Sequence, residues 1–346
     1  MVFLKEYRVK NIIKFIALII AIAFFCIACN NNPPDDTKEQ EPDDPKFGMT
    51  WAKVSNSTFG SNTINSVAWG NGVFVAVGEN GKIAYSADGK SWTAASNTVF
   101  TGAINCVAWG NGTFMAGGEG GRMATSPDGI SWTAVANTGF NSNAINGITW
   151  GSDKWVAVGR GRMAYSNADG TSWTGADSNT PFGYGQGSPN LWDVAQGNNR
   201  FVLVGAAGGQ GHGTSLAHST DGINTNWTDR DMGDLIAEAL TGIVFGSNKF
   251  ITVSLSSILY SSDGMEWSNT EEGSLGKLLK SVGFGNNKFI AVGSNDAILT
   301  SDNGTSWTAL TNVSLNCHFN GITYGGGTWV AVGLNGAIAY SEEGTK

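Results

Sequence analysis

Residues 64–92 read INSVAWGNGVFVAVGENGKIAYSADGKSW, and residues 104–132 restate them as INCVAWGNGTFMAGGEGGRMATSPDGISW. A third copy, INGITWGSDKWVAVGRGRMAYSNADGTSW, fills residues 145–173. Later stretches drift but hold the frame: FVLVG with HSTDGINTNW, then FITVSLSSILYSSDGMEW, FIAVGSNDAILTSDNGTSW and WVAVGLNGAIAYSEEGT. A repeat of this kind is one supersecondary unit that buries its apolar faces only against its neighbours. The tryptophans closing the copies are Trp92, Trp132, Trp173, Trp227, Trp267 and Trp307. Counted from Trp51, five of the six intervals are 40 or 41 residues, and the one ending at Trp227 is 54.

Each copy breaks at Gly, Asn and Asp into four strand-length runs. In the first copy these are Ile64–Trp69, Val73–Gly78, Lys82–Ser86 and Ser91–Ala94. The run Val73-Phe74-Val75-Ala76-Val77 is apolar on both faces, so it needs cover on both sides. Four-stranded blades stacked face to face around an axis provide that cover, and their period is 40–50 residues. The seventh copy ends at Ser341-Glu342-Glu343-Gly344-Thr345-Lys346, without a fourth strand or tryptophan. Thr50-Trp51-Ala52-Lys53-Val54 matches the missing piece. The expectation is an all-β, seven-bladed β-propeller of four-stranded antiparallel blades over residues 49–346. An N-terminal strand completes the last blade and removes the open sheet edge.

Composition agrees. The chain has 49 glycines and only 14% charged residues, which suits short strands and tight turns. After residue 48 the best helical stretch is one short piece, Asp234–Leu240. The formal net charge is -8, a poor match for nucleic acid or anionic lipid.

The N-terminus reads as an address. Lys5, Arg8, Lys10 and Lys14 precede the apolar run Phe15–Ala28, which is shorter than the roughly 20 residues a spanning helix needs. The segment ends Cys26-Ile27-Ala28-Cys29, which resembles the lipobox of bacterial lipoproteins, although Cys26 stands where that family usually has Leu. The resemblance implies a signal peptide over residues 1–28 and lipidation at Cys29, with no other contact to membrane. Residues 29–48, rich in Pro, Asn and acids, read as a solvated tether. The expected location is the bacterial cell envelope, lipid-anchored, with the membrane and leaflet left open.

The segments SADGKSW, SPDGISW, STDGINTNW and SSDGMEW resemble the Asp-box, or BNR, repeat of sialidases and other secreted propellers, Ser/Thr-x-Asp-x-Gly-x-x-Trp. Thr300–Trp307 fits that pattern residue for residue, whereas most of the others are one residue shorter. The resemblance implies structural roles for Asp88, Asp128, Asp169, Asp221, Asp263 and Asp302, and for the seven tryptophans. A buried tryptophan removes roughly 150–250 Å² from water. One acid per box is too few oxygens for calcium, so no metal is expected.

The chemistry that sialidase-like blades would carry is missing. After the signal segment the arginines are Arg122, Arg160, Arg162, Arg200 and Arg230, and the sialidase Arg-Ile-Pro motif is absent. The inner strands begin with Asn65, Asn105, Asn146, Trp192, Thr241, Lys280 and Asn320, with Asp193 the lone acid beside them, so paired glycosidase carboxylates are not expected. No phosphate loop, nucleophile elbow or His/Cys cluster appears. His212, His218 and His318 read as surface or turn residues. Cys106 and Cys317 fall on blades two and seven, where a disulfide is not expected. The chain reads as non-catalytic, without cofactor.

Two features remain as candidate binding residues. Lys82, Arg122 and Arg162 share one aligned position in blades one to three, with Arg160 beside the last. They read either as a basic arc for a carboxylate or acidic peptide or as solvated strand ends. In blade four, the segments 181–190 and 206–214 are longer than their counterparts, through functional specialisation or neutral growth. This would bring Tyr184, Trp192, Asp193 and His212 near Arg160 and Arg162. The leading reading is an envelope scaffold whose propeller face binds a protein or peptide. The alternative is a glycan-binding or degenerate sialidase-like module.

Overall fold

The computed structural model describes residues 49–96, 99–177, 189–206, 214–223, 226–230, 232, 235, 238–311 and 313–342. The readings at Cys29, Tyr184 and His212, and those of the signal and tether segments, lie outside the described residues. So does most of the helical candidate; its last residue, Leu240, opens a strand.

Within the unit Gly48–Lys346, seven four-stranded antiparallel sheets follow one another. Blade one is Ile64–Gly70, Val73–Gly78, Ile83–Ser86 and Thr93–Ala94. Lys82, expected to open the third strand, sits just before it, and the outer strand keeps only two residues. The second strand is buried along nearly its whole length, as an apolar run without alternation requires. Blade seven takes Phe319–Gly325, Thr328–Gly333 and Ile338–Glu342 from the end of the chain and Thr50–Lys53 from its beginning. Trp51 pairs with Ser341 and Lys53 with Ala339, so the ring closes as the matching ends required. The fold is a seven-bladed β-propeller.

Two seams join each blade to the next. At one end of the first strands, an ideal Cβ on Gly70 would lie 2.1 Å from the Trp109 ring, and one on Gly325 would lie 2.0 Å from the Trp69 ring. Blade by blade, an aromatic lies over its predecessor's glycine, with Gln196 over Gly151 the one non-aromatic member.

The second seam is the turn between the third and fourth strands. Asp88 Oδ1 accepts the N–H groups of Lys90 and Ser91, both at 2.8 Å. Ser86 Oγ accepts the Gly89 N–H at 2.9 Å, and the Trp92 indole donates to the Gly89 carbonyl at 3.0 Å. Burial pushes the Asp88 carboxyl up, but the Ser91 and Lys90 amides and the Ser86 hydroxyl outweigh it and hold it at about 2. Gly89 has φ +74°, and a Cβ there would meet Val330 of blade seven at 2.7 Å. Glycine is thus required both by conformation and by closeness to the neighbouring blade. The same bonds recur at Asp128 and Asp263, and Asp221 accepts the Ile223 N–H. At Asp169, one residue later in its turn, the acceptor serves the N–H and hydroxyl of Thr171.

Blade six corrects the sequence reading. There Asn303, not Asp302, accepts the N–H groups of Thr305 and Ser306, both at 2.9 Å. Ser301, not Thr300, caps Gly304. The turn has the same length as in blade one, and Asp302 occupies the solvent-facing position of Ala87. Its carboxylate pairs with Lys288 instead.

Candidate functional site

Every first strand opens on a β-bulge. The register slips between Ile64 and Ser66, Ile104 and Cys106, and Ile145 and Gly147. It slips again between Leu191 and Asp193, Leu240 and Gly242, Leu279 and Ser281, and Phe319 and Gly321. A bulge re-aims one side chain out of the pairing. Here it turns Asn65, Asn105, Asn146, Trp192, Thr241, Lys280 and Asn320 toward the axis, where all seven line one cavity of about 730 Å³. These are the residues the sequence placed at the inner strand starts.

Four of the seven collar residues are architecture. Asn320 donates to the Ile64 carbonyl at 3.1 Å, Asn65 to that of Ile104 at 2.9 Å, Asn105 to that of Ile145 at 3.0 Å and Asn146 to that of Leu191 at 2.8 Å. Each amide therefore stitches its blade to the next, from seven through four. The other three depart from this pattern. Thr241 donates within its own blade, to Val253, and Lys280 donates to the Asn320 amide oxygen at 3.0 Å. Trp192 is 39% exposed.

Asp193 occupies the next position, where other blades carry Ser, Cys or Gly. Its Oδ2 accepts the Ile243 N–H of blade five at 3.0 Å, and its Oδ1 accepts the Val194 N–H at 2.8 Å. Burial pushes its carboxyl up to about 6 in spite of these two donors. The buried Cys106 thiol is pushed far up by burial and by the Asp193 charge. It stays protonated and unreactive. Cys106 and Cys317 are both free.

The structure brings Arg160, Trp192 and Asp193 to this cavity, and Arg160 bridges to Asn190 through its backbone. It does not bring the basic arc there. Lys82 donates to the Phe59 carbonyl and Arg162 to that of Gly139, both at 2.9 Å, while Arg122 bonds the Thr101 hydroxyl. Each cation fastens the loop leading into its own blade, because its backbone stands beside that loop at the start of the third strand. Of the other histidines, His218 accepts from Arg200 at 2.9 Å, and His318 leads into blade seven.

Sequence reasoning missed Leu255, Leu275 and Leu278. With Trp192 they are the exposed large apolar side chains among the described residues. Leu255 lies between the second and third strands of blade five, and the other two lie in the lead-in to blade six. The Ser274 N–H bonds the Ser256 carbonyl and joins these loops. A leucine inside Ser-Leu-Ser-Ser, where blades one and two carry Glu-Asn-Gly and Glu-Gly-Gly, was a weak signal, since blade seven also has a leucine there, Leu334. Lead-in loops and second-to-third-strand loops share one face, as the Glu79–Thr63 backbone bond shows. All four apolar residues are therefore on the cavity face. Among the described residues no group of His, Cys, Asp or Glu gathers to hold a metal ion.

Residues 193–324 match the family model described as the DUF6242 beta propeller domain. No curated protein matches the chain. Among solved structures, YCF48 bound to a D1 peptide is 15% identical, with TM-score 0.63, covering 85% of this chain and 96% of its own. An inactive virginiamycin B lyase from Staphylococcus aureus with quinupristin is 11% identical, with TM-score 0.68 and coverages of 85% and 99%. The WD40 propeller of Doa1 is 10% identical, with TM-score 0.63 and coverages of 86% and 98%. At such identities the likeness is one of fold. The chain is an all-β, seven-bladed propeller whose blades each carry four antiparallel strands.

Proposed function

We propose that the propeller is a non-catalytic binding scaffold that engages a protein or peptide partner on its cavity face, held at a bacterial envelope by lipid on Cys29. One observation carries the binding reading. Trp192, Leu255, Leu275 and Leu278 are 39–48% exposed; Trp192 and Leu255 line the cavity, and Leu275 and Leu278 lie in the loop bonded to that of Leu255. Clustered apolar exposure beside polar groups marks an interaction site, whereas scattered single residues do not. Peptide binding by YCF48, a propeller of the same fold, supports this use of the face. The repeated Ser-x-Asp-Gly turns support a place among Asp-box propellers, with the box serving as architecture.

A photocrosslinking residue placed at Leu255 or Leu278 in cells is expected to give one discrete adduct. The same residue at the outer strand position Thr93 gives none. Equal labelling at all three positions would remove the reading. Cys29→Ala is expected to release the protein from the membrane fraction. A second reading, glycan binding, is favoured by the exposed indole of Trp192 beside the asparagine amides. A glycan array on the same protein separates the two.

A further inference from the structure

Resting on the reading above, we infer that the cavity takes an acidic side chain of the partner peptide, its carboxylate between Arg160 and Lys280 and a neighbouring apolar residue on Trp192 and Leu255. All four residues line the same cavity.

The charge arrangement points to this ligand. The chain carries a formal -8, yet the cavity lining contains two cations and a single acid. That acid, Asp193, has its carboxylate oxygens turned to the Ile243 and Val194 amides. With two cations against this one acid, the lining keeps a net positive charge. Three acids elsewhere on this face are similarly committed, whereas Glu271 and Glu272 stand exposed in the lead-in to blade six. Glu79 accepts the Thr63 N–H, Glu119 that of Ala103, and Asp296 those of Leu315, Asn316 and Cys317.

The cations keep donors to spare. Arg160 is exposed, and among the described residues its guanidinium has no partner. Lys280 uses one ammonium hydrogen on Asn320 and retains two. An arginine fork and a lysine suit a carboxylate, and charge-assisted bonds are about twice as strong as neutral ones. The pseudo-symmetry of the collar adds an independent argument. Where it reaches the neighbouring blade's backbone it is asparagine, and the two bulge positions that carry another large side chain, Trp192 and Lys280, are the ones assigned to ligand.

The test uses the full chain and two fluorescein-labelled hexapeptides, Gly-Phe-Glu-Glu-Phe-Gly and its Gln-for-Glu counterpart, read by anisotropy. The acidic peptide is expected to bind about tenfold tighter, with the preference reduced by salt. Arg160→Gln with Lys280→Met should bring the two affinities together at an unchanged melting temperature, and Lys280→Arg should restore part of the difference. Equal affinities in the unmodified protein, or a preference surviving the double variant, would overturn the carboxylate site. If both peptides bind equally and Trp192→Ala abolishes binding, the partner reading stands while this inference falls. Absence of binding by either peptide also removes this inference, and the crosslinking experiment then decides the partner reading alone. Saturable binding of glucuronate with no peptide binding assigns the site to sugar acids and overturns it as well.

Discussion

Asp193 on blade four and Ile243 on blade five are joined across their seam by a carboxylate accepting a backbone N–H at 3.0 Å. Between blades one and two the same place is served by a neutral hydroxyl, with Ser66 Oγ accepting the Val107 N–H at 3.3 Å. Blade four thus puts an ionisable group into a position that a serine fills elsewhere.

The pH dependence follows from that substitution. A carboxyl raised on folding from 3.8 to about 6 holds its proton more tightly in the folded chain. Its contribution is complete below about pH 4 and is lost as pH rises through about 6, an effect of roughly 3 kcal/mol. Asp193→Asn is therefore expected to flatten the fall in stability from about pH 4 to about pH 7 relative to wild type. Urea unfolding at several pH values checks this, and parallel curves for the two proteins would refute it.

The box acids act in the opposite sense. Asp88 is held at about 2, so its contribution is present above its unfolded value near 3.8 and is lost as pH falls through 2. In blade six the acceptor is Asn303, which does not titrate. Asn303→Ala is expected to cost about 1 kcal/mol through two unmet N–H groups, and Asp302→Ala, which removes only an exposed ion pair, well under that. Thermal unfolding of the two variants gives the comparison.

Ring closure makes a sharper claim. Deleting Met49–Val54 removes the fourth strand of blade seven and leaves Ile338–Glu342 as an open edge. The expected result is a large drop in melting temperature and a tendency to aggregate. An unchanged melting temperature would mean that the ring holds without its closing strand.

The arc formed by Lys82, Arg122 and Arg162 provides a separate control. Each cation is bound to the loop before its blade. Substituting all three by Met is expected to speed hydrogen exchange in those loops while leaving ligand affinity at the cavity unchanged. Loss of affinity would return the arc to the binding site.

The fold was legible because the sequence repeats both its apolar runs and its turn residues, and because its two ends complete one blade. The asparagines at the inner strand starts were visible too, since a polar residue recurs there in every blade but the fourth. Their division of labour was not. Nothing in the letter at Asn65 shows that its amide reaches the Ile104 carbonyl, because that depends on a bulge and on the spacing between blades. The reading of Asp302 failed for a similar reason. Two adjacent residues, Asp302 and Asn303, could each supply the acceptor, and only the alignment of Ser301 with Gly304 selects one. Lys82, Arg122 and Arg162 shared an aligned position, but shared position did not make them a shared surface.

The closing strand also sets an order of events. Thr50–Lys53 leaves the ribosome before any blade exists, and its partner Ile338–Glu342 leaves after nearly all the others. The glycine of the last blade, Gly325, likewise waits to be covered by Trp69 of the first. Throughout synthesis the growing chain therefore carries an unpaired strand at one end and an uncovered blade face at the other. Neither is satisfied until the seventh copy arrives. Such a chain has reason to fold late and all at once, and until then its edges are open to a chaperone or to a second nascent copy.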